Sequence, residues 1–274
     1  MNEVRSHSGD CTIPTAVRYN SAGRAIQFGI EAVENIDGLD NTTLVQAFKL
    51  FLHPMTMRVQ NYLTPSPLRC GVALKTVYSD ILAYIFNHAR QFVDSSSFNP
   101  VGRGSLWARL KSNFVVIMPI PNGWGDSQQA FLRQAVVAAG ILPFNHDHER
   151  LQFVSEPEAA IHFAISTRSI GSELHVGSTL AVCNAGDSMV ETTAHQCTSA
   201  APTLQLREIT AGECVQAGSA SVDEAVRVFL ERKFANSRYG TPEIIESMVI
   251  EFERKAVGST CPRCSRIGFA DTGF

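Results

Sequence analysis

The chain has 274 residues, 45% of them apolar, and a formal net charge of −3. That length suits about two domains or one bilobed unit with a full hydrophobic core. No basic footprint suggests nucleic acid, no apolar run is long enough to span a membrane, and residues 1–9 lack the apolar centre of a signal peptide, so a cytoplasmic protein is expected.

Residues 13–19 predict a strand, Asn20-Ser-Ala-Gly23 a turn and residues 24–28 a second strand. Asn41 and Thr42 can cap a helix that carries Leu44, Phe48, Phe51 and Leu52 on one face and stops at Pro54. Lys49 lies inside this apolar stretch, where a lysine commonly lays its stem on apolar surface. Residues 63–68 hold two prolines and form a loop. Val77, Ile81, Ile85, Ala89 and Phe92 then recur at helical spacing. Residues 95–104 are polar and loose, and Trp107 with Leu110 marks a short helix.

Residues 114–118 are a buried strand by composition, followed by the loop Pro119-Ile-Pro-Asn-Gly-Trp124. Asp126 and Gln129 have capping-box spacing, and Gly140 closes the helix they begin. The loop 145–150 holds His146, Asp147 and His148, a pattern more common on a solvated surface than around a metal. Residues 151–154 form the next strand, and Ser155-Glu156-Pro157-Glu158 starts a helix with proline in its first turn. Glu156 thus sits where a strand ends and a helix begins, the edge at which ligands gather in open α/β sheets. Two acids there also serve simply to offset the helix dipole.

Residues 179–191 run strand, Asn-Ala-Gly-Asp-Ser turn, strand, and the alternation continues to His195. A tip of small polar residues can turn successive N–H groups into a phosphate-holding concavity, although most such units are only hairpins. Residues 203–209 alternate as a strand, and residues 212–219 are a small-residue loop. Ser221 can cap a helix bearing Val222, Ala225, Val226, Phe229 and Leu230. Thr241-Pro242-Glu243 starts another, with Ile245, Met248, Val249, Phe252 and Ala256 on one face. Residues 259–274 predict a disordered tail. The seven cysteines are scattered and odd in number, which argues for free thiols. Cys261-Pro-Arg-Cys264 has metal or redox spacing but no second pair to complete a zinc site.

Six stretches in a fixed order carry more weight than any one of them. They are Ala47-Phe-Lys-Leu-Phe-Leu-His-Pro54, Val77-Tyr-Ser-Asp-Ile-Leu82, Pro121-Asn-Gly-Trp124, Ala138-Ala-Gly-Ile141, Phe153-Val-Ser-Glu-Pro-Glu-Ala-Ala160 and Gly218-Ser219. Together they resemble the nucleotide-binding domain of the heat-shock-70 chaperones, and more narrowly a divergent fungal branch related to the member 12 subfamily. The resemblance spans roughly residues 12–257. It implies an α/β, actin-like ATPase (ribonuclease H-like) two-lobed fold, with mixed sheets flanked by helices and ATP and Mg²⁺ in the cleft. Residues 1–175 would be the remainder of the first lobe, residues 176–258 a partial second lobe and residues 259–274 a tail.

By the same resemblance Glu156 takes the place of the carboxylate that orients the attacking water, and Lys49 that of the lysine facing the γ-phosphate. Asn184, Ala185, Gly186, Asp187 and Ser188 match the second phosphate loop, with Glu191 at its closing acidic position. Gly218 and Ser219 match the Gly-Gly turn near the phosphates. Glu253 and Lys255 fall on the adenosine-contacting helix. No metal ligand is assigned. The first phosphate hairpin, the late purine loop and the substrate-binding domain find no counterpart. The family's metal-binding aspartate is Asn184, two loop glycines are Asp187 and Ser188, and the loop threonine is Met189.

Mg²⁺ prefers carboxylates to a carbonyl dipole, and Asp187 puts negative charge where phosphate oxygens would sit. Phosphoryl transfer depends on positioning and charge neutralisation, so these losses predict weak or no hydrolysis. A missing hairpin would also bare a sheet edge and apolar surface, which predicts a protein partner or client. Two alternatives stay open on sequence alone. One is a working ATP-dependent chaperone ATPase. The other is an unrelated α/β enzyme with its site at Glu156, Glu158 and His162.

Overall fold

The computed structural model describes residues 13–34, 41–54, 57, 68, 71–95, 105–143, 147–167 and 174–258. Helices and three small sheets alternate, so the fold class is mixed α/β. The chain divides into two compact units: residues 1–53, 64–118 and 124–153, and residues 54–63, 119–123 and 154–274. Among the described residues no helix is long and apolar enough to cross a membrane.

In the first unit β1 (Ala16–Tyr19) pairs antiparallel with β2 (Ala25–Phe28) on one side and with β3 (Thr43–Gln46) on the other. All four β1 residues are buried, as a central strand requires. Arg18 is buried too, and its charge is met by the Ala32 carbonyl, which accepts from Nε at 3.0 Å and Nη2 at 2.6 Å. That carbonyl belongs to the short helix α1 (Gly29–Glu34).

The helix expected from the Asn41-Thr42 cap does not form. Thr43, Leu44 and Val45 extend instead and pair with β1. Branched Thr and Val lose little in a strand and gain the ladder of a buried neighbour. Ala47 then takes a left-handed φ of 50°, and only Phe48–Leu52 coils, as a single 3-10 stretch.

The long amphipathic α2 (Leu74–Ser95) buries Val77 and Ile81 of its expected face together with Tyr78, whereas Ile85, Ala89 and Phe92, expected on that same face, are exposed. Tyr78 meets Phe48 and Phe131 edge-on, at centroid distances of 5.0 and 5.4 Å. Ser105 caps the short α3 (Leu106–Leu110), accepting from the Ala108 N–H at 3.0 Å. α4 (Asp126–Ala138) begins one residue before the expected box: the Gln128 side chain accepts from the Gly125 N–H at 3.1 Å. It ends in a Schellman arrangement, with Gly140 at φ 69° and the Ile141 N–H donating to the Val136 carbonyl at 3.2 Å. Val136, Ile141, Leu142 and Leu151 form the core beneath it. Residues 147–150, expected as loop, make one helical turn, α5 (Asp147–Arg150).

β4 (Val116–Ile120) and β5 (Leu151–Ser155) pair as a two-stranded sheet. In the second unit Ser155 caps α6 (Glu156–Ser166), accepting from the Glu158 N–H at 3.2 Å, with Pro157 in the first turn as predicted. An antiparallel sheet follows, in the order β6 (Thr179–Ala185), β7 (Val190–Ser199), β8 (Gln205–Val215). α6 lies on it through Ile161, Ala164 and Leu180. β8 runs to Val215, through residues expected as loop, because Glu213, Cys214 and Val215 pair with Thr192, Glu191 and Val190. The cap of α7 (Ser219–Phe234) is Gly218, not Ser221. α8 (Pro242–Gly258) starts at the predicted Thr241-Pro242 step and buries Ile245 and Val249.

Candidate functional site

The hairpin β6–β7 forms as its sequence predicts, but Asn184 and Ala185, expected in the turn, extend as strand, with Asn184 opposite Glu191 and Ala185 opposite Val190. Gly186, Asp187 and Ser188 make its tip, closed by the Gly186 N–H donating to the Met189 carbonyl at 2.8 Å. Period-two alternation sends Asn184 and Glu191 to the same face. Glu156 reaches that face from the start of α6. The three side chains meet.

Asn184 Nδ2 donates to Glu191 Oε2 at 3.1 Å and lies 3.5 Å from Glu156 Oε2. The other Glu191 oxygen accepts from the Asn122 N–H at 2.6 Å. Glu191 is 1% exposed. Burial raises its carboxyl above the ordinary range, the Asn122 N–H opposes the shift, and the Glu156 charge adds to it. Cys214, the register partner of Glu191, completes the cluster. Burial first, and then the Glu191 charge, pushes its thiol up to about 12. The cluster is therefore a carboxylate pair clamped by an amide, with a protonated thiol beside it.

Mg²⁺ does not fit here. It demands oxygen ligands in near-octahedral array. The position between the two carboxylates is taken by the donor end of Asn184, and both Glu191 oxygens already accept from N–H groups. Among the described residues no group of three or more His, Cys, Asp and Glu side chains is placed to hold a metal ion.

A second meeting of elements lies at the hairpin tip. The first amides of α7 point at it, as helix N-termini point at anions. They are already satisfied. The Ser219 N–H donates to the Gly186 carbonyl at 3.2 Å and the Ala220 N–H to the Asp187 carbonyl at 3.0 Å. The Gly218 N–H points to the Ser188 carbonyl at 3.4 Å, and Ser219 Oγ donates to Asp187 Oδ1 at 3.1 Å. Gly218 is required by closeness: a Cβ there would collide with the Gly186 and Asp187 carbonyls. These amides hold the protein's own oxygens. A phosphate chain does not fit this arrangement without displacing them.

Glu253 lies on α8, where burial and then the charges of Asp223 and Asp187 raise its carboxyl. Burial and Asp187 also raise Asp223. The surroundings of the tip are thus acidic, the opposite of what phosphates need. Lys255 pairs with Glu251 at 3.1 Å on the exposed side of α8, where Arg254 and Lys255 hold Glu251 down at about 2. Lys49 is in the first unit, 5.9 Å from the Trp124 ring centroid. There Trp124 Nε1 donates to His53 Nδ1 at 3.1 Å. Glu158 and His162 pair at 3.9 Å on the outside of α6, while Glu156 turns to Asn184. Cys261, Cys264 and His146 lie outside the described residues.

Asn122 and Cys214 were not singled out in the sequence. Asn122 acts through its backbone, which no side-chain pattern reports, and Cys214 fell in a stretch expected as loop. The alternation Gly212-Glu-Cys-Val was the available signal for it. No family model matches the chain, and no curated protein matches it.

Proposed function

We propose that the chain is a heat-shock-70-like nucleotide-binding-domain protein with an actin-like ATPase fold that hydrolyses ATP weakly or not at all and acts by binding. The order of its motifs supports the family reading. The observation that carries the loss of chemistry is the tip of β6–β7, whose carbonyls occupy the first amides of α7 while the Asp187 carboxylate accepts from the Ser219 hydroxyl. Removing one preorganised donor typically costs about 10²–10³ in kcat, and here a set of donors is engaged while an amide stands between the carboxylates. Exposed Phe163, Val222, Phe229 and Ile250 support a protein partner or client as the target of binding.

Calorimetry with ATP, with and without magnesium chloride, tests this together with release of labelled phosphate. The expected result is affinity no tighter than millimolar and phosphate release at the buffer rate. Sub-millimolar binding of MgATP with turnover would overturn it and restore the working ATPase.

A further inference from the structure

β6 is an edge of the second unit's sheet, and its register fixes which backbone groups it leaves open. At one end of the β6–β7 ladder the Gly186 N–H donates to the Met189 carbonyl, and at the other the Cys197 N–H donates to the Ser178 carbonyl, both at 2.8 Å. Between them the residues pair one to one without a break. Hydrogen-bonded pairs alternate along an antiparallel ladder, so Leu180, Val182 and Asn184 bond to β7. Thr179, Ala181, Cys183 and Ala185 therefore turn their N–H and C=O groups outward, and these four residues are exposed. Among the described residues no backbone hydrogen bond reaches those outward groups.

The two edges of this sheet differ. β8 carries exposed Arg207, Glu208 and Glu213, and register shifts interrupt its pairing with β7. Charges and bulges of this kind keep strand edges from joining. β6 has neither. Its residues, Thr-Leu-Ala-Val-Cys-Asn-Ala, include no charge, no proline and no glycine, and its ladder is regular.

We propose that β6 pairs antiparallel with β6 of a second copy of this chain, joining the two three-stranded sheets into one. A two-fold axis at Val182 sets Thr179 opposite the partner's Ala185 and Ala181 opposite the partner's Cys183. Every outward N–H then meets an outward C=O. Self-pairing of a charged strand sets like charges against each other, and β6 has none to oppose. That neutrality favours a second copy over a charged peptide as the occupant. The pairing does not rest on the nucleotide reading, because it uses the outward side of β6 and not the Asn184 clamp or the hairpin tip.

Sedimentation velocity of the whole chain, from micromolar to submillimolar concentration, tests this together with amide hydrogen exchange. A reversible dimer is expected, with the amides of Thr179, Ala181, Cys183 and Ala185 exchanging more slowly as it forms. Ala181→Pro removes an outward donor and leaves the ladder to β7 untouched. It should weaken dimerisation roughly tenfold, since each copy loses one hydrogen bond. Ala181→Lys, which keeps the backbone donor, should weaken it as well by charging the edge. Thr210→Lys is the control: Thr210 and Ala181 both lie opposite Ala194, so it places the same charge on the same face but on β8. It should leave the dimer intact. A monomer at every concentration overturns the proposal. So does a dimer that Thr210→Lys weakens as much as Ala181→Lys, because the sheets would then meet face to face. A dimer whose formation leaves the four amides exchanging at the monomer rate overturns it too.

Discussion

Replacing Asn184 with aspartate strikes the clamp directly. In the protein as it stands, Nδ2 donates to Glu191 at 3.1 Å and faces Glu156 at 3.5 Å. Asn184→Asp removes that donor and sets a third carboxylate against two others, one of them buried. Losing a hydrogen bond to a charged group costs about 1.5–3 kcal/mol. Like charges some 4 Å apart repel by about 4 kcal/mol at an effective dielectric constant of about 20. Proton uptake limits the total, because each unit of pKa shift costs only about 1.4 kcal/mol. The net expectation is a loss of about 2–4 kcal/mol at neutral pH, which lowers the melting temperature by roughly 5–15 °C.

The sign with pH follows from linkage. Glu191 is already raised, and in the variant the cluster is raised further. A carboxyl with a raised folded pKa leaves stability intact below its unfolded value and erodes it as pH climbs through the folded value. The deficit should therefore shrink towards about pH 4.5 and grow towards neutrality. Millimolar magnesium should stabilise the variant, which then has three carboxylates and no bridging amide, and leave the wild type unmoved. Thermal melts across pH, with chelator or with magnesium, give the answer. A variant as stable as the wild type at neutral pH in chelator would refute the clamp, and so would equal stabilisation of both proteins by magnesium.

Gly218→Ala should destabilise by about 1–3 kcal/mol, since the new Cβ meets only backbone at the hairpin tip, and a urea midpoint reads the loss directly. Exposed Cys183 should alkylate with iodoacetamide at mildly alkaline pH at least tenfold faster than Cys214, whose thiol burial pushes up to about 12. Peptide mass mapping ranks the two, and labelling of Cys214 first would contradict the cluster. Trp124→Phe should cost about 1–3 kcal/mol in the first unit by removing the indole N–H that donates to buried His53. An unchanged melt would show that bond to be dispensable.

Much of the local structure was legible because its causes are local. The apolar spacing of α2, the Ser155 cap with Pro157, the Thr241-Pro242 start and the small-residue tip of β6–β7 each carry their reason within a few residues. Where a partner far along the chain decided the outcome, local signals misled. Residues 41–52 have helical spacing, yet β1 recruits Thr43, Leu44 and Val45 as a strand. Ser221 is a good cap in isolation, but the carbonyls at the hairpin tip, some thirty positions upstream, meet the chain at Gly218.

The candidate site divides the same way. The residue types at 156, 184, 187 and 191 are facts of sequence, and set against the heat-shock-70 resemblance they led to the expectation of weak or no hydrolysis. How those side chains meet is a tertiary matter. Sequence cannot tell that the Asn122 N–H would reach Glu191 across 69 positions, or that the Asn184 amide would lie between two carboxylates. Nor can it tell that the amides of α7 would be filled by their own hairpin. Hydrogen bonds and burial between distant segments depend on how the elements meet, and only the assembled fold sets those distances.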